Sequence, residues 1–335
     1  MACVVCSCPP PMVAPARERF ARECVIASPD NPRMRLAILG FGLIGGSVAR
    51  ALREREPGGW TIAAWSPAGT GPRQAASEGL IDLAAPDARA AITGADLVLL
   101  AAPPLACLAL LDDLAGPLRS ALSREAIVSD VASTKRQLVT RARERGVRFV
   151  GGHPMAGREA SGFGAADSSL FAARPWVICP PADQSDEAAV AVVERLARAT
   201  GAVPIRLEPG VHDAAVAAIS HMPLVVSAAL VEAAMGDSSG LDEATRAAAS
   251  GLAASGWRDM TRLARGDEAM GAGIAATNAD LLAGRIRALR DELDAWLTEL
   301  ERSGGPDPVR LQARFAAARL LAGGAQGQGS EDGPA

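Results

Sequence analysis

An apolar run that ends in a closely spaced set of glycines most constrains how this 335-residue chain can fold. Residues 34–39 are largely apolar, and an amphipathic stretch follows the glycines and continues to Leu52. In a strand–turn–helix unit of this kind, the first glycine makes the turn, the second lets the backbone approach a pyrophosphate, and the third lets the helix pack on the strand. Unpaired N–H groups at the helix start then bind the diphosphate. The pattern predicts a dinucleotide site with the cofactor-binding residues Gly40, Gly42, Leu43, Ile44 and Gly45.

More apolar runs recur at the spacing of a parallel sheet, with helix-capable segments between them. They cover residues 60–65, 96–102, 126–129 and 147–150, with expected edge strands at 176–179 and 203–207. Alternation of strands and helices is typical of a doubly wound α/β domain. We therefore expect an α/β fold with a Rossmann-type, doubly wound parallel sheet over residues 34–208.

The composition changes after Pro209-Gly210, where alanine and leucine dominate and strand formers are few. An all-helical domain is expected over residues 209–302, followed by a short helix and a disordered tail within residues 303–335. One long seam of apolar residues recurs at three-and-four spacing: Leu282, Ile286, Leu289, Leu293, Trp296 and Leu300. Such a seam packs either into the core of its own chain or against a second subunit, and both interpretations remain open.

The composition excludes several classes of partner. The net charge of −4 gives no reason to expect nucleic-acid binding. We also expect no membrane span, because no apolar run approaches in this reading the roughly 20 residues that a span needs. Residues 1–33 are expected to be a disordered extension. Cys3, Cys6 and Cys8 suggest zinc, but no histidine or second cysteine pair is near them, so no metal site is expected. Without a signal peptide or a disulfide framework, a cytoplasmic location is expected.

A single lysine marks the first polar motif. Among 34 cationic side chains, Lys135 is the only lysine, and it ends the motif Asp130-Val131-Ala132-Ser133-Thr134-Lys135 directly after a predicted strand. An ammonium and a guanidinium are not interchangeable at close quarters, which favours a functional role, although chance retention would also explain one lysine. We treat Lys135 as a substrate-binding candidate.

All three histidines lie in polar motifs. His153 follows a predicted strand at its carboxyl end, where open α/β sheets bind ligands, whereas His212 and His221 flank the start of the helical domain. Each alone would more often be a structural histidine. Because an unperturbed imidazole has a pKa of about 6.5, His153 can take a proton from an alcohol as hydride leaves. Ser133 is expected to recognise the same hydroxyl.

Cations are concentrated in residues 256–262, which end at Arg262. Arginine binds a carboxylate through two parallel hydrogen bonds, so this segment suits carboxylate recognition. The alternative is an ordinary solvated helix face.

Five motifs in one order resemble the prephenate/arogenate dehydrogenase family of tyrosine biosynthesis. They are Gly40-x-Gly42-Leu43-Ile44-Gly45-Gly46-Ser47, Asp130-Val131-Ala132-Ser133-x-Lys135, Gly151-Gly152-His153-Pro154-Met155-Ala156-Gly157, Ile219-Ser220-His221-x-Pro223 and Gly256-x-Arg258-Asp259-x-x-Arg262. The resemblance covers roughly residues 34–302. It implies a homodimer formed through the helical domain and an NAD(P)-dependent oxidative decarboxylation of a cyclohexadienol.

The resemblance also implies roles for individual residues. His153 would take the proton of the ring C4 hydroxyl, and Ser133 would bond the same hydroxyl. Arg262 would bind the ring carboxylate, and His221 would lie near the side-chain end of the substrate. Some prephenate-specific members carry tryptophan a few residues after the arginine motif, where this chain has Gly271. This departure, together with residues 220–230 and 276–278, looks more like the arogenate-using branch.

The end of the second predicted strand favours NADP over NAD. A site specific for NAD usually places an acidic residue there, about 20 residues past the glycine turn. This chain has Ser66, and no acidic residue follows until Glu78. Arg73 is the one cation nearby, and Pro103, just after the predicted strand 96–102, is a further expected cofactor contact.

Two rival functions remain at this stage. A β-hydroxyacid dehydrogenase or imine reductase shares a Rossmann domain followed by helices. Its hydroxyacid-using members place a lysine in the helical domain, and this chain has none after Lys135. A non-catalytic nucleotide-sensing protein would bind the cofactor without turnover.

Overall fold

The computed structural model describes residues 33–181 and 186–326. The predicted N-terminal extension with its cysteine motif, apart from residue 33, and the end of the predicted tail lie outside the described residues.

Eight strands form one sheet. They are β1 (Met34–Leu39), β2 (Trp60–Trp65), β3 (Leu83–Ala84), β4 (Leu97–Leu100), β5 (Ile127–Asp130), β6 (Phe149–Pro154), β7 (Pro175–Cys179) and β8 (Val203–Arg206). Their order across the sheet is β3-β2-β1-β4-β5-β6-β7-β8. Every neighbouring pair is parallel except β6 and β7. The expected doubly wound α/β fold is confirmed.

Helices cover both faces of this sheet. They are α1 (Leu43–Arg55), α2 (Thr70–Ser77), α3 (Ala88–Ile92), α4 (Pro104–Ala115), α5 (Arg136–Glu144) and α6 (Glu187–Ala199). Alternate residues of a strand point to opposite faces, so Leu36 and Ile38 pack with α1 and α6, whereas Ala37 and Leu39 pack with α3, α4 and α5. The central strands are thereby buried on both faces, as in other parallel sheets.

Two features of the sheet differ from the sequence-based expectation. The strand β3 has only two residues, too few to produce a recognisable apolar run. The strand β6 is longer than expected, because its first residues pair with β5 in parallel and residues 151–154 pair with β7 in antiparallel fashion. This extension carries His153 beyond the parallel sheet.

The second part of the described chain is helical, as expected. Its helices are α7 (Pro209–Val216), α8 (Met222–Met235), α9 (Glu243–Leu252), α10 (Ser255–Thr261), α11 (Glu268–Thr277), α12 (Ala279–Leu300) and α13 (Pro308–Gln326). A wider helical turn over residues 217–221 joins α7 to α8 without a break. Wider turns of this kind are rare in proteins, and those that do occur are frequently found at functional sites.

The continuous helical stretch Pro209–Met235 corrects one expectation. By length and composition alone it is apolar enough to cross a membrane, although no run of that length was expected. Three polar residues, His212, Asp213 and His221, interrupt the apolar sequence and so divide it into shorter runs. In the structure these three side chains are buried at 0–1% exposure. Only 22% of its most apolar part is buried within the single chain, which leaves apolar surface for another contact.

The apolar seam of α12 divides between the two interpretations left open above. Leu282 at its start is 6% exposed and belongs to the core, whereas Leu293 and Leu300 near its end are 54% and 51% exposed. The seam therefore packs within the chain at one end and presents apolar surface at the other.

Candidate active site

The site lies at the carboxyl edge of the parallel strands, where α1 begins between β1 and β4. The order of the strands reverses at this point of the sheet, and such a crevice is where open α/β sheets bind ligands. Pro103 precedes α4 at the same edge. The predicted cofactor residues of the glycine turn and Pro103, at the start of α4, thus lie at the same edge of the sheet.

The glycine turn fits a dinucleotide on the evidence of its own geometry. Gly40 has a φ of +94°, and a Cβ there would lie 2.3 Å from the carbonyl oxygen of Ala101. At Gly45 a Cβ would lie 2.6 Å from the Gly40 oxygen, whereas at Gly42 the nearest such contact is Gly162 N at 4.0 Å. The first turn of α1 carries no acidic residue and no side-chain cap. Its N–H groups remain available to an anion.

The turn after β2 places Arg73 beside Ser66. Gly69, with a φ of +65°, donates its N–H to the Ser66 carbonyl at 3.0 Å, and α2 begins immediately afterwards. Arg73 on α2 folds back over this turn and donates to the Ala68 carbonyl at 3.3 Å. Glu78, the first acidic residue after β2, is instead bound to Arg50 at 2.9 Å.

Lys135 binds the protein itself in place of the predicted contact with substrate. Its side chain is fully buried, pairs with Asp130 at the end of β5, and donates to the Gly152 carbonyl at 2.6 Å. Asp130 in turn accepts the N–H of Gly152 at 3.0 Å and that of Ala132 at 2.9 Å. Burial raises the pKa of Asp130 above its usual range, although Lys135 opposes the shift. Because its ammonium faces no cleft, Lys135 positions the ends of β5 and β6.

His153 is the first member of a buried chain of hydrogen bonds. Its Nδ1 lies 2.8 Å from Nε2 of His212, and Nδ1 of His212 lies 2.8 Å from a carboxylate oxygen of Asp213. His153 is 8% exposed, His212 1% and Asp213 0%. In the part of the chain that the structure describes, no hydrogen bond involves Nε2 of His153. This nitrogen is the one available to a substrate.

The lowered pKa values at both ends of this chain leave the imidazole uncharged and the carboxyl group ionised. Burial lowers the pKa of His153 well below 6.5, and His212, Lys135 and His221 lower it further. Burial tends to raise the pKa of Asp213, but hydrogen bonds from His212 and from the backbone of Arg136 and Lys135 outweigh it, and the net pKa is lowered. At neutral pH His153 is therefore a neutral imidazole and Asp213 a carboxylate.

Asp213 also fixes the loop that carries Ser133. Its two oxygens accept the backbone N–H of Lys135 at 2.7 Å and of Arg136 at 2.9 Å, at the start of α5. The first N–H groups of a helix have no partner within the helix, and here a carboxylate from α7 supplies one. Ser133 is half-buried just before this helix, and no described residue is hydrogen-bonded to its hydroxyl. One carboxylate thus holds both His153 and the Ser133 loop.

His221 lies behind the site and has no exposed surface. Its Nδ1 lies 3.2 Å from the side-chain amide of Asn278, which also donates to the Asp213 carbonyl at 2.9 Å. Burial lowers the pKa of His221 to about 4. The backbone of Ser133 pulls this pKa weakly upward, but it makes no hydrogen bond of good geometry to Nε2. His221 is thus held inside the helical domain by Asn278, and its expected place near the side-chain end of the substrate stays a prediction.

Arg262 approaches the site from the end of α10. Its side chain is 55% exposed and pairs with Glu159, which lies on the loop after β6. The guanidinium of Arg262 therefore contacts the loop that follows β6 and is paired there with the Glu159 carboxylate.

The sequence-based reasoning missed part of this constellation. Asp213, Asp130, Asn278 and Glu159 were not expected to act in the site, and His212 was noted without a role. Adjacent His212-Asp213 at the start of a helix was the available signal, because a buried histidine requires an ordered partner. Among residues 33–181 and 186–326, no group of three or more His, Cys, Asp or Glu side chains is arranged to hold a metal ion.

Comparison with known proteins points to one family. The nucleotide-binding domain of prephenate dehydrogenase matches residues 48–206, and the prephenate dehydrogenase dimerization domain matches residues 208–313. A prephenate dehydrogenase of Bacillus subtilis is 32% identical over 273 residues, which cover 80% of this chain and 68% of that protein.

Two solved structures share the fold along most of their length. Synechocystis arogenate dehydrogenase is 31% identical with a TM-score of 0.68, and the match covers 86% of this chain and all of that one. Prephenate dehydrogenase from A. aeolicus, in complex with hydroxyphenyl propionate and NAD+, is 25% identical with a TM-score of 0.74 and covers 86% and 98%.

Proposed function

The chain belongs to the prephenate dehydrogenase family, and we propose that it oxidises and decarboxylates a cyclohexadienol, prephenate or arogenate, in tyrosine biosynthesis. The observation that carries the proposal is the neutral His153 at the carboxyl edge of the sheet, with Nδ1 bound to His212 and Nε2 open. A base in this state accepts a hydroxyl proton, which a charged imidazolium cannot do.

Each residue of the site has its own role in the proposed reaction. The glycine turn would hold the pyrophosphate of a nicotinamide cofactor, and that cofactor would supply the acceptor for the hydride of ring C4. Nε2 of His153 takes the proton of the C4 hydroxyl, so that a carbonyl forms at C4, and Ser133 holds the same oxygen in place. Arg262 binds the ring carboxylate in exchange for Glu159. When carbon dioxide leaves, its bonding electrons make the ring aromatic, and His153 returns the proton to the phenolate oxygen.

Arogenate is the proposed preferred substrate. Gly271 stands where some prephenate-specific members carry tryptophan, and a Cβ at this position would meet only Leu224 Cδ2, at 4.0 Å. The space beside Leu224 is open. This supports a site in which no bulky aromatic residue contacts the keto acid side chain that distinguishes prephenate.

NADP is the proposed preferred cofactor. Ser66 can hydrogen-bond a 2′-phosphate, and Arg73 lies over the turn that follows it. A carboxylate at the end of β2 would repel that phosphate, and the chain has none there.

We also propose that the functional unit is a homodimer formed through the helical domain. The matched dimerization domain spans α7 to α12, and the apolar ends of α12 and α13 remain uncovered in the single chain. Apolar surface of this kind marks a contact between proteins.

A spectrophotometric assay tests the proposed activity. The purified full-length protein is incubated with arogenate or prephenate, each with NAD or NADP, and reduction of the nicotinamide is followed by absorbance. We expect reduction with at least one substrate, fastest with arogenate and NADP. A protein that binds the cofactor yet reduces it with neither substrate is a nucleotide-binding protein without this activity.

A further inference from the structure

The direction of the hydrogen bonds around His153 follows from Asp213. An ionised carboxylate only accepts hydrogen bonds, so Nδ1 of His212 donates to it across 2.8 Å. A neutral His212 then has an unprotonated Nε2, which accepts from Nδ1 of His153 across 2.8 Å. A neutral His153 that donates through Nδ1 has its lone pair on Nε2. The network therefore selects the tautomer in which the open nitrogen of His153 is a base.

The surroundings of His153 disfavour a positive charge on its ring. Lys135 with its partner Asp130 and the ring of His221 face His153, and burial adds to their effect. Around Asp213 the charged group is Arg136, which also binds the exposed Asp280. Of the two imidazoles, only His212 contacts the carboxylate of Asp213 directly. A proton that moves from His153 to His212 therefore comes next to Asp213. Among the described residues, Asp213 is the only buried anion in contact with either imidazole.

We propose that His212 and Asp213 act with His153 as a proton relay, an inference that rests on the proposed function. The O–H bond of the C4 hydroxyl breaks and its proton binds Nε2 of His153, while the C4 hydride passes to the nicotinamide. The proton on Nδ1 of His153 moves to Nε2 of His212, and the resulting imidazolium is paired with Asp213. After decarboxylation both protons return along the same path, and the phenolate becomes the phenol. His212 and Asp213 are positioning residues that also hold the charge.

A pair of His212 variants separates relay from support. In His212→Gln the amide oxygen can still accept from Nδ1 of His153 and the amide nitrogen can still donate to Asp213, but no proton can be carried. We expect kcat to fall at least about tenfold, since acid–base steps contribute about 10²- to 10⁴-fold. In His212→Phe the orientation is lost as well, and kcat falls further. Thermal unfolding of both variants is compared with that of the unchanged protein.

Nitrogen-15 NMR of histidine-labelled enzyme provides a readout that does not depend on activity. The chain has only three histidines, so the ring nitrogens can be assigned by the variants themselves. We expect Nε2 of His153 to be unprotonated and Nδ1 protonated in the unchanged enzyme and in His212→Gln, and this preference to be lost in His212→Phe.

Asp213→Asn tests where the charge resides. Loss of the anion lowers the proton affinity of the histidine pair, so the acid limb of kcat/KM moves to lower pH while the plateau falls. If Asp213 only kept His153 buried, exposure would move that limb upward toward 6.5, the ordinary imidazole value.

Three results would overturn the relay. They are a kcat for His212→Gln within about twofold of the unchanged enzyme, a protonated Nε2 on His153 in the unchanged enzyme, and an acid limb that stays in place or rises in Asp213→Asn. Each can occur while the unchanged enzyme still reduces nicotinamide with arogenate or prephenate. Failure of the relay is thereby distinguished from failure of the proposed function.

Discussion

At the scale of single residues, the lowered pKa of His153 sets the expected pH dependence. Because its pKa lies well below 6.5, the folded enzyme keeps a neutral base through mildly acidic solution. We expect kcat/KM to be flat from about pH 8 to about pH 6, where a free imidazole of pKa about 6.5 would already be largely charged. His153→Ala should lower kcat by about 10²- to 10⁴-fold with unchanged cofactor affinity. A half-maximal rate at or above pH 6.5 would contradict the neutral base.

Arg262 is expected to determine substrate affinity. Arg262→Ala should weaken substrate binding by about 2–5 kcal/mol if the arginine pairs with a carboxylate in the closed site. Isothermal titration with substrate and, separately, with cofactor measures the two affinities. Arg258→Ala is the matched control, because Arg258 is an exposed cation of α10 for which the structure assigns no pairing with Glu159. A loss confined to cofactor binding would remove Arg262 from the substrate site.

Ser66 is expected to set the choice between the two cofactors. Ser66→Asp places a carboxylate where the 2′-phosphate of NADP would lie, and repulsion should shift the ratio of kcat/KM values toward NAD. Arg73→Ala should lower the rate with NADP and leave that with NAD nearly unchanged. An unchanged enzyme that strongly prefers NAD would disprove the assignment of this turn.

At the scale of secondary-structure elements, the buried pair of Lys135 and Asp130 joins β5 to β6. Lys135→Met leaves the Asp130 charge buried without a partner, which costs about 3–5 kcal/mol for a pair of this kind. Urea unfolding measures the change, and the double variant with Asp130→Asn should recover part of it. The exposed pair of Arg290 and Asp291 provides the control, since Arg290→Met should change stability by about 0.5 kcal/mol or less. Equal effects at the two sites would mean that Lys135 does not hold the strands together.

At the scale of the whole molecule, the uncovered apolar ends of α12 and α13 predict a dimer. Leu293 and Leu297 are 54% and 51% exposed, and Leu320 is 75% exposed. Leu293→Glu together with Leu297→Glu should convert the dimer to monomer in sedimentation velocity, because a buried interface does not tolerate unpaired charges. Leu83→Glu, on the edge strand β3 at 46% exposure, is the control that should leave the dimer intact.

Local sequence patterns predicted most of the fold. The strand–glycine–helix unit at Gly40 and the strands of the sheet follow from apolar runs and turn residues that lie next to one another in the chain, and β2 was predicted to its exact ends. The family motifs also singled out His153, Ser133 and Arg262, whose roles in the reaction stay predictions. Patterns failed where an element was too short, as at β3, or where one strand changed partners, as at β6.

The sequence by itself determined the order of the elements and the chemical types available for the reaction, because these depend on neighbouring residues. Only the tertiary structure decided their partners. His153 meets His212 across 59 positions, and Asp213 caps α5 across 78 positions. The sequence suggested that Lys135 binds the substrate, but its ammonium group is instead hydrogen-bonded to Asp130 and to the Gly152 carbonyl inside the protein. Contacts of this range are set by how the helical domain packs against the sheet, and no local periodicity records that packing.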